Sequence, residues 1–439
     1  MAVVTLKFAS LGRISCTPRS VGGFRAAEAE PCSSTGLTGG NFMPQDLIRV
    51  LHVLPHVAGG GATLQAMVIA ENLDRNRFQG KLVVGSEDYG EGNLLQEMLD
   101  IGLEVIVLPH LRRAPSVPGD ARAVLELTRV IQRERPHIIH THGSKPKMLL
   151  PLATALSQPS VDPAPRLVAH LWGWEWQAVS DLPRRALCTA ASILTAGRYD
   201  RFVACSETVR RQGLARGIGS PEQYRVVLPS VDLRRFSPNG KSKADARSEF
   251  GIAPGTPVVG SVMRLAEQKA PEILLQAAAL LAPLAPDLRW LLIGGGPLEA
   301  RVRRMIAELD LHGRVLMTGP RRDIPQLLQA CDLFALSSSW EPFGIVCVEA
   351  AAMHIPVVCT AVDGTPEAVV HDQTGVLVRP HSPVALAAAI ARLFSDSDLA
   401  RRMGEAGRRH AQSFDPERFV RSIEEIYEDL LEDEFPPAR

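Results

Sequence analysis

The most specific chemistry-bearing spacing in the chain is the pair of carboxylates in Glu341-Pro-Phe-Gly-Ile-Val-Cys-Val-Glu349. Gly344 marks a helix start there, so Gly344, Ile345 and Val346 are expected to present backbone N–H groups and a positive dipole end, a seat for a diphosphate. Glu341 falls in the loop before that helix, next to Phe343, and Glu349 lies between one and two turns inside. The two acids can therefore reach different parts of one elongated ligand and accept hydrogen bonds from its hydroxyls. Read alone, the same residues also describe a capping acid and an ordinary surface glutamate.

A second group is cationic. In Arg264-Leu-Ala-Glu-Gln-Lys269 the arginine can grip a phosphate bidentately and the lysine can neutralise it as a point charge, which suits a departing diphosphate. By itself it would read as a solvated basic loop. Two glycine turns, Gly59-Gly60-Gly61 and Gly294-Gly295-Gly296-Pro297, allow close backbone approach to a ligand at Gly60, Gly61, Gly295 and Pro297. Neither turn matches the GxGxxG pattern, so a dinucleotide reading is weak. Histidines gather in His140-Thr-His142-Gly-Ser-Lys145, with His170 further on. Strand alternation is taken to leave only one of His140 and His142 facing a ligand, and no third metal ligand has a recognisable spacing, so no metal is assigned. Asp396-Ser-Asp398 reads as a helix-capping turn and is likewise assigned no metal.

The elements that must position these residues follow a repeated pattern. Strand-like runs at residues 47–54, 81–84, 105–108, 137–140, 167–170, 202–206 and 225–228 alternate mostly with helical stretches. A polar break at residues 237–244 reads as a linker. A second series follows, at residues 257–262, 288–293, 315–318, 333–336, 356–359 and 375–378. The expectation is an α/β chain of two Rossmann-like, doubly wound domains facing across a cleft, with ligands at the carboxyl ends of the strands. The expected divisions are a disordered extension over 1–46, an acceptor-side domain over 47–236, a donor-binding domain over 237–415, and a helix over 416–439 crossing back to the first domain.

Composition narrows the classes. At 439 residues the chain exceeds what one core usually serves. Its formal net charge is zero, which argues against nucleic acid as a partner. The seven cysteines include no CxxC pair and read as thiols in a reducing compartment. No apolar run is long enough to span a bilayer, so a cytoplasmic or peripheral protein is expected. The first 42 residues, basic and without an acid before Glu28, look like a transit peptide or an upstream mis-start, with Met43 as the functional beginning.

Taken in order, these segments resemble the retaining glycosyltransferases of family four, which have the GT-B fold. The resemblance runs from about residue 47 to 419. It rests on Glu341-x7-Glu349 within EPFGIVCVEA, Arg264-x4-Lys269, GGGP, Val227-Leu-Pro-Ser-Val-Asp232, and Asp363-Gly-Thr-Pro-Glu367 leading to Thr374-Gly-Val-Leu-Val378. It implies a nucleoside diphosphate sugar as donor substrate and no separate cofactor. Arg264 and Lys269 would hold the diphosphate and Glu349 the ribose. Glu341, with the backbone of Phe343, Gly344, Ile345 and Val346, would hold the sugar and distal phosphate, and Arg322, Asp323 and Ile324 would frame the base. The HTHGSK, GNLLQEMLDIGLEV and LRR stretches look like the branch that builds cell-surface polysaccharides.

One departure stands out. That branch usually carries a histidine followed by glycine after the next strand, and here the stretch is His170-Leu-Trp172-Gly173-Trp174-Glu-Trp176. Either His170 serves in its place, as the fourth catalytic candidate with Glu341, Arg264 and Lys269, or Trp172 supplies an aromatic platform instead. Ser230 also stands where the family often has glycine or asparagine. Trp172, Trp174 and Trp176 with Arg184-Arg185 and Arg210-Arg211 suit a membrane-interface face and a lipid-linked saccharide acceptor, or equally buried packing beside solvated arginines. Competing readings are a nucleotide-sugar epimerase on the same fold and a non-catalytic sugar-nucleotide-binding scaffold, the latter favoured only by Trp172.

Overall fold

The computed structural model describes residues 47–86, 93–114, 116–158, 160–179, 181–238 and 242–432. The expected extension over 1–46, the centre of the linker at 239–241 and the last seven residues lie outside them. Ile48–Arg439 forms one compact unit.

Its first half runs β1 (Ile48–Leu54), α1 (Gly61–Asn72), β2 (Phe78–Gly85), α2 (Leu95–Asp100), β3 (Val105–Leu108), α3 (Val117–Glu134), β4 (Ile138–His142), α4 (Ser144–Ser157), β5 (Arg166–Leu171), α5 (Leu182–Ala196), β6 (Arg201–Ala204), α6 (Glu207–Leu214) and β7 (Tyr224–Val226). The second half runs α7 (Lys243–Ser248), β8 (Val258–Val262), α8 (Pro271–Leu281), β9 (Arg289–Ile293), α9 (Glu299–Glu308), β10 (Val315–Gly319), α10 (Ile324–Leu328), β11 (Leu333–Leu336), α11 (Ile345–Ala352), β12 (Val357–Thr360), α12 (Thr365–Ala368), β13 (Gly375–Val378), α13 (Pro383–Ser395), α14 (Ser397–Ala411) and α15 (Pro416–Leu431).

Each half is a parallel sheet, ordered β3-β2-β1-β4-β5-β6-β7 and β10-β9-β8-β11-β12-β13. In both, the strand order reverses between the first and fourth strands, and the crevice at such a switch point is where these folds take ligands. Two sequence-distant pairs of loops are thereby made neighbours: those after β1 and β4, and those after β8 and β11. Leu333 pairs with Val259 and Phe334 with Gly260 in the second sheet.

Strand ends depart from the sequence reading where a side chain has other work. β6 stops at Ala204 because the Ser206 hydroxyl accepts from Val209 N at 3.2 Å and caps α6. β4 continues to His142. Asp396 accepts from Leu399 N at 2.8 Å, the capping role expected of it. The helix α15 packs Phe419, Val420, Ile423 and Ile426 onto Ile48, Val50 and Ile69 of the first half. Polar contacts pin it there: Asp74 N donates to Glu424 at 2.7 Å, and Arg77 pairs with Glu428.

Candidate functional site

Adjacency of β8 and β11 builds the site. The short 3-10 turn Glu267–Lys269 follows β8, and the Ser337–Ser339 turn follows β11. Ser339 N donates to Gln268 O at 2.8 Å, and the Ser337 hydroxyl donates to Lys269 O at 3.0 Å, so the turns are stitched together. This delivers Lys269 to Glu341: its ammonium donates to Oε2 of the buried carboxylate, which also accepts from the Ser338 hydroxyl at 3.0 Å. Glu341 N donates to Asp363 at 3.0 Å, fixing the loop from behind.

Gly344 caps α11 with φ +94°, a left-handed conformation that glycine adopts without strain. A Cβ on Gly344 would lie 3.5 Å from Glu341 Cγ, so α11 starts beside the Lys269–Glu341 pair; Cys347 N donates to Gly344 O at 2.9 Å, and the amides of Ile345 and Val346 before it have no preceding helical turn to bond to. Across from them stands the other glycine turn: a Cβ on Gly61 would lie 3.9 Å from Ile345 Cγ2. The two switch points therefore face each other through the starts of α1 and α11. Phe343 turns inward and packs edge-on against Phe414, their ring centres 5.5 Å apart. The loop carrying Arg264 is held by the GGGP turn, with Leu265 N donating to Gly295 O and Leu298 N, just past Pro297, donating to Leu265 O, both at 2.9 Å.

Glu349 sits half-buried on the first turns of α11. Burial pushes its carboxyl up to about 7, with Arg235 pulling the other way. Arg235, which the sequence reading missed, also donates to Arg322 O at 2.9 Å, so it links the expected ribose acid to the expected base-framing segment. Asp323 stands at the N-cap position of α10, which begins at Ile324, but makes no side-chain capping bond, its carboxylate pairing with Arg321 at 2.6 Å. Arg322 reaches into the first half, donating to Asn93 O at 2.8 Å.

Further contacts hold the loops around the cleft, most of them between the halves, and the sequence reading missed the partners they join. Asp363 accepts from Gln177 at 3.1 Å and from Gln212 at 2.8 Å, while Glu367 accepts from the Glu207 and Thr208 amides at 2.8 and 3.1 Å and caps α6. Gly173, at φ +119°, lies so near Pro342 that a Cβ there would come within 2.6 Å of its ring. Ser230 bonds to Gln65 of α1 through both its amide, at 2.8 Å, and its hydroxyl, at 3.0 Å.

The facing wall is formed by a cavity of about 200 Å³ lined by Arg113, Ser144, Lys147, His170, Trp172 and Trp340, among others. Lys147 pairs with Glu175 at 2.6 Å inside it. His170 is buried and stacked on Trp172, ring centres 3.8 Å apart and planes 7° from parallel. One open choice is decided here, for buried packing of Trp174 and Trp176, and one expectation is corrected. Trp174 and Trp176 are core residues, 2% and 3% exposed and stacked at 4.5 Å, with Trp174 Nε1 donating to Val209 O at 2.9 Å. They therefore present no face to a membrane. His140 and His142 do not diverge either; residues two apart on a strand share a face, and their ring centres are 4.4 Å apart. Burial holds His52, His140, His142 and His170 well below the ordinary imidazole value, with His52 and His170 at about 3.

Two family models cover both halves: "Glycosyl transferase 4-like domain" matches residues 60–229, and "Glycosyl transferases group 1" matches residues 242–410. The chain belongs to the GT4-like glycosyltransferase family, with the GT-B fold. Among curated relatives, the D-inositol 3-phosphate glycosyltransferase of Corynebacterium glutamicum is 36% identical over 223 residues, covering 49% of this chain and 53% of that protein. The chain thus spans about half the length of the curated relatives it matches. Among solved structures, Anabaena HepE in complex with UDP-glucose aligns with a TM-score of 0.75 and 25% identity, over 87% of this chain and 99% of that one. Sucrose-phosphate synthase of Thermosynechococcus elongatus shares the fold, with a TM-score of 0.74 at 22% identity, over 88% of this chain and 100% of its own.

Proposed function

We propose that this GT4-like chain transfers a glycosyl group from a nucleoside diphosphate sugar to an acceptor hydroxyl, with retention of anomeric configuration. The observation that carries the reading is the buried Lys269–Glu341 pair beside the start of α11, opposite the Gly60-Gly61 turn. The complex of HepE with UDP-glucose supports the donor class. Arg264, Lys269 and the α11 amides stabilise the charge that grows on the leaving diphosphate. Glu349 accepts from the ribose hydroxyls, and Glu341, aimed by Lys269 and Ser338, accepts from those of the sugar. The bond between the anomeric carbon and the phosphate oxygen breaks while the acceptor oxygen bonds to the same face, and the acceptor proton passes to the departing phosphate. No carboxylate nucleophile is needed.

In this reading residues 47–236 serve the acceptor and 237–415 the donor, with the helix within 416–439 tying them. The acceptor sits in the cavity of Trp172 and Trp340, with Trp172 as an aromatic platform and His170 supporting it from beneath. A lipid-linked saccharide suits the outer surface beside that cavity. There α5 exposes Leu182, Leu187 and Leu194 and α4 exposes Leu152 and Leu156, with Arg184 and Arg185 on α5. No helix among the described residues is long and apolar enough to cross a membrane, so contact there would be peripheral. A thermal-shift panel of nucleoside diphosphates tests the donor site. One of them should raise the melting temperature of the wild type and leave Lys269→Ala unmoved. Equal shifts in both would refute the assignment. Proton spectra of the product decide retention, and donor turnover without any acceptor would favour an epimerase.

A further inference from the structure

Behind the cavity, four imidazoles form one buried cluster on the face of the first sheet that α15 covers: His52 on β1, His140 and His142 on β4, and His170 on β5. Parallel register sets His52 opposite His140 and His142 opposite His170. Transfer chemistry at the donor site makes no use of the first three. Such positions under a helix are ordinarily filled by aliphatic residues, because a buried polar atom without a partner destabilises the fold. Here His52 Nε2, His140 Nε2 and His142 Nδ1 are all buried without a hydrogen-bond partner, and so are both nitrogens of His170.

The geometry has the dimensions of a coordination site. His52 Nδ1 and His142 Nε2 share a hydrogen bond at 3.1 Å, close to the spacing of about 3.3 Å for two nitrogens on one tetrahedral zinc ion, so an ion would take the place of the proton between them and leave His52 Nε2 and His142 Nδ1 on the outer side. The ring centres of His52, His140 and His142 are separated by 5.5, 5.4 and 4.4 Å, where three imidazoles on such an ion sit roughly 5 Å apart. One nitrogen from each of the three lies within 4.8 Å of the others. Outer support is present too: the Tyr427 hydroxyl of α15 lies 2.6 Å from His140 Nδ1, which engages that nitrogen and leaves the buried Nε2 as the ring's unpartnered one. His170 and Trp172, stacked at the edge of the group, also line the cleft cavity and give an ion a route in.

We propose that His52, His140 and His142 bind one late first-row transition-metal ion, zinc being the natural candidate, which clamps β1 to β4 at the switch point of the first sheet. An all-imidazole set suits zinc, copper, nickel or iron(II) rather than magnesium or calcium. Three protein ligands leave a fourth position for a small ligand such as hydroxide, whose charge offsets part of the ion's. The proposal stands apart from the donor site and from the transfer reaction.

Full-length protein, purified from zinc-supplemented cells and dialysed, is assayed by elemental analysis and zinc X-ray absorption. One zinc per chain is expected, in a nitrogen and oxygen shell at about 2.0 Å without sulfur at about 2.3 Å. His52→Gln and His142→Gln should lose the zinc, whereas His312→Gln, on an exposed loop, should keep it. A chelator should lower the melting temperature of the wild type and leave the two folded variants unmoved. Three results would overturn the proposal: no bound zinc in the wild type, a sulfur shell, or zinc retained by both cluster variants. The absorption spectrum needs only the wild type, so it decides the matter even if the variants fail to fold.

Discussion

Replacing Glu349 with glutamine should make the unliganded protein more stable at high pH and little different at low pH. Burial raises the Glu349 carboxyl from its ordinary 4.5 to about 7. Between those values the folded chain binds the proton more tightly than the unfolded chain, so this residue's contribution to stability falls as pH rises and its full cost is present above pH 7. The gap corresponds to about 3 kcal/mol. For a single cooperative transition of a chain this size, that is about 4 °C in melting temperature. Melting curves of wild type and Glu349→Gln at pH 5 and pH 8 provide the assay, since every other titrating group is common to both and cancels in the difference. The variant's advantage should open by a few degrees between the two values. Nucleoside diphosphate affinity of the wild type should strengthen through pH 7 as the carboxylate becomes available to ribose hydroxyls, while the variant shows a flat and weaker profile. A melting difference that is the same at both pH values would refute the reasoning.

Other substitutions separate packing from ligand contact. Trp174→Ala should cost about 3–5 kcal/mol in denaturant unfolding, because it empties a buried ring site and removes the indole bond to the Val209 carbonyl. Trp172→Ala should cost less stability and appear instead as a raised KM for the acceptor. Gly173→Ala should destabilise by about 1–3 kcal/mol, since it forces both a left-handed backbone and a clash with Pro342. Leu187→Glu with Leu194→Glu should abolish co-sedimentation with anionic liposomes without changing the melting temperature; unchanged sedimentation would remove the membrane face from the account.

Both sheets were legible in the sequence because their strands are short, mostly apolar runs that alternate with helical stretches, and residues 105–108, 333–336 and 375–378 match the observed strands end for end. The helix start at Gly344 was legible for a similar local reason. What the sequence could not carry is contact made through strand order. Lys269 meets Glu341 across 72 positions only because β8 and β11 are neighbours. His52 is a lone histidine in an apolar strand, and nothing local announces that β4 will bring two more beside it. Trp174 and Trp176 were ambiguous because they lie at the cap of a 3-10 turn and within it, where neither helical nor strand periodicity says which side is inside. Gln177, Gln212, Asp363 and Glu367 lie in loops or at helix ends and act on the opposite half of the molecule, so their spacing within one segment holds no trace of their partners.

The donor site is tested most directly by turnover. Purified protein is incubated with UDP-glucose and a panel of other nucleoside diphosphate sugars, with an acceptor extract, and released nucleoside diphosphate is measured for the wild type, Lys269→Ala and Glu341→Gln. Acceptor-dependent release by the wild type is predicted, falling by about 10²–10³-fold in Lys269→Ala, the loss typical when one group stabilising transition-state charge is removed, and falling markedly in Glu341→Gln. Unchanged release in both variants would contradict the account.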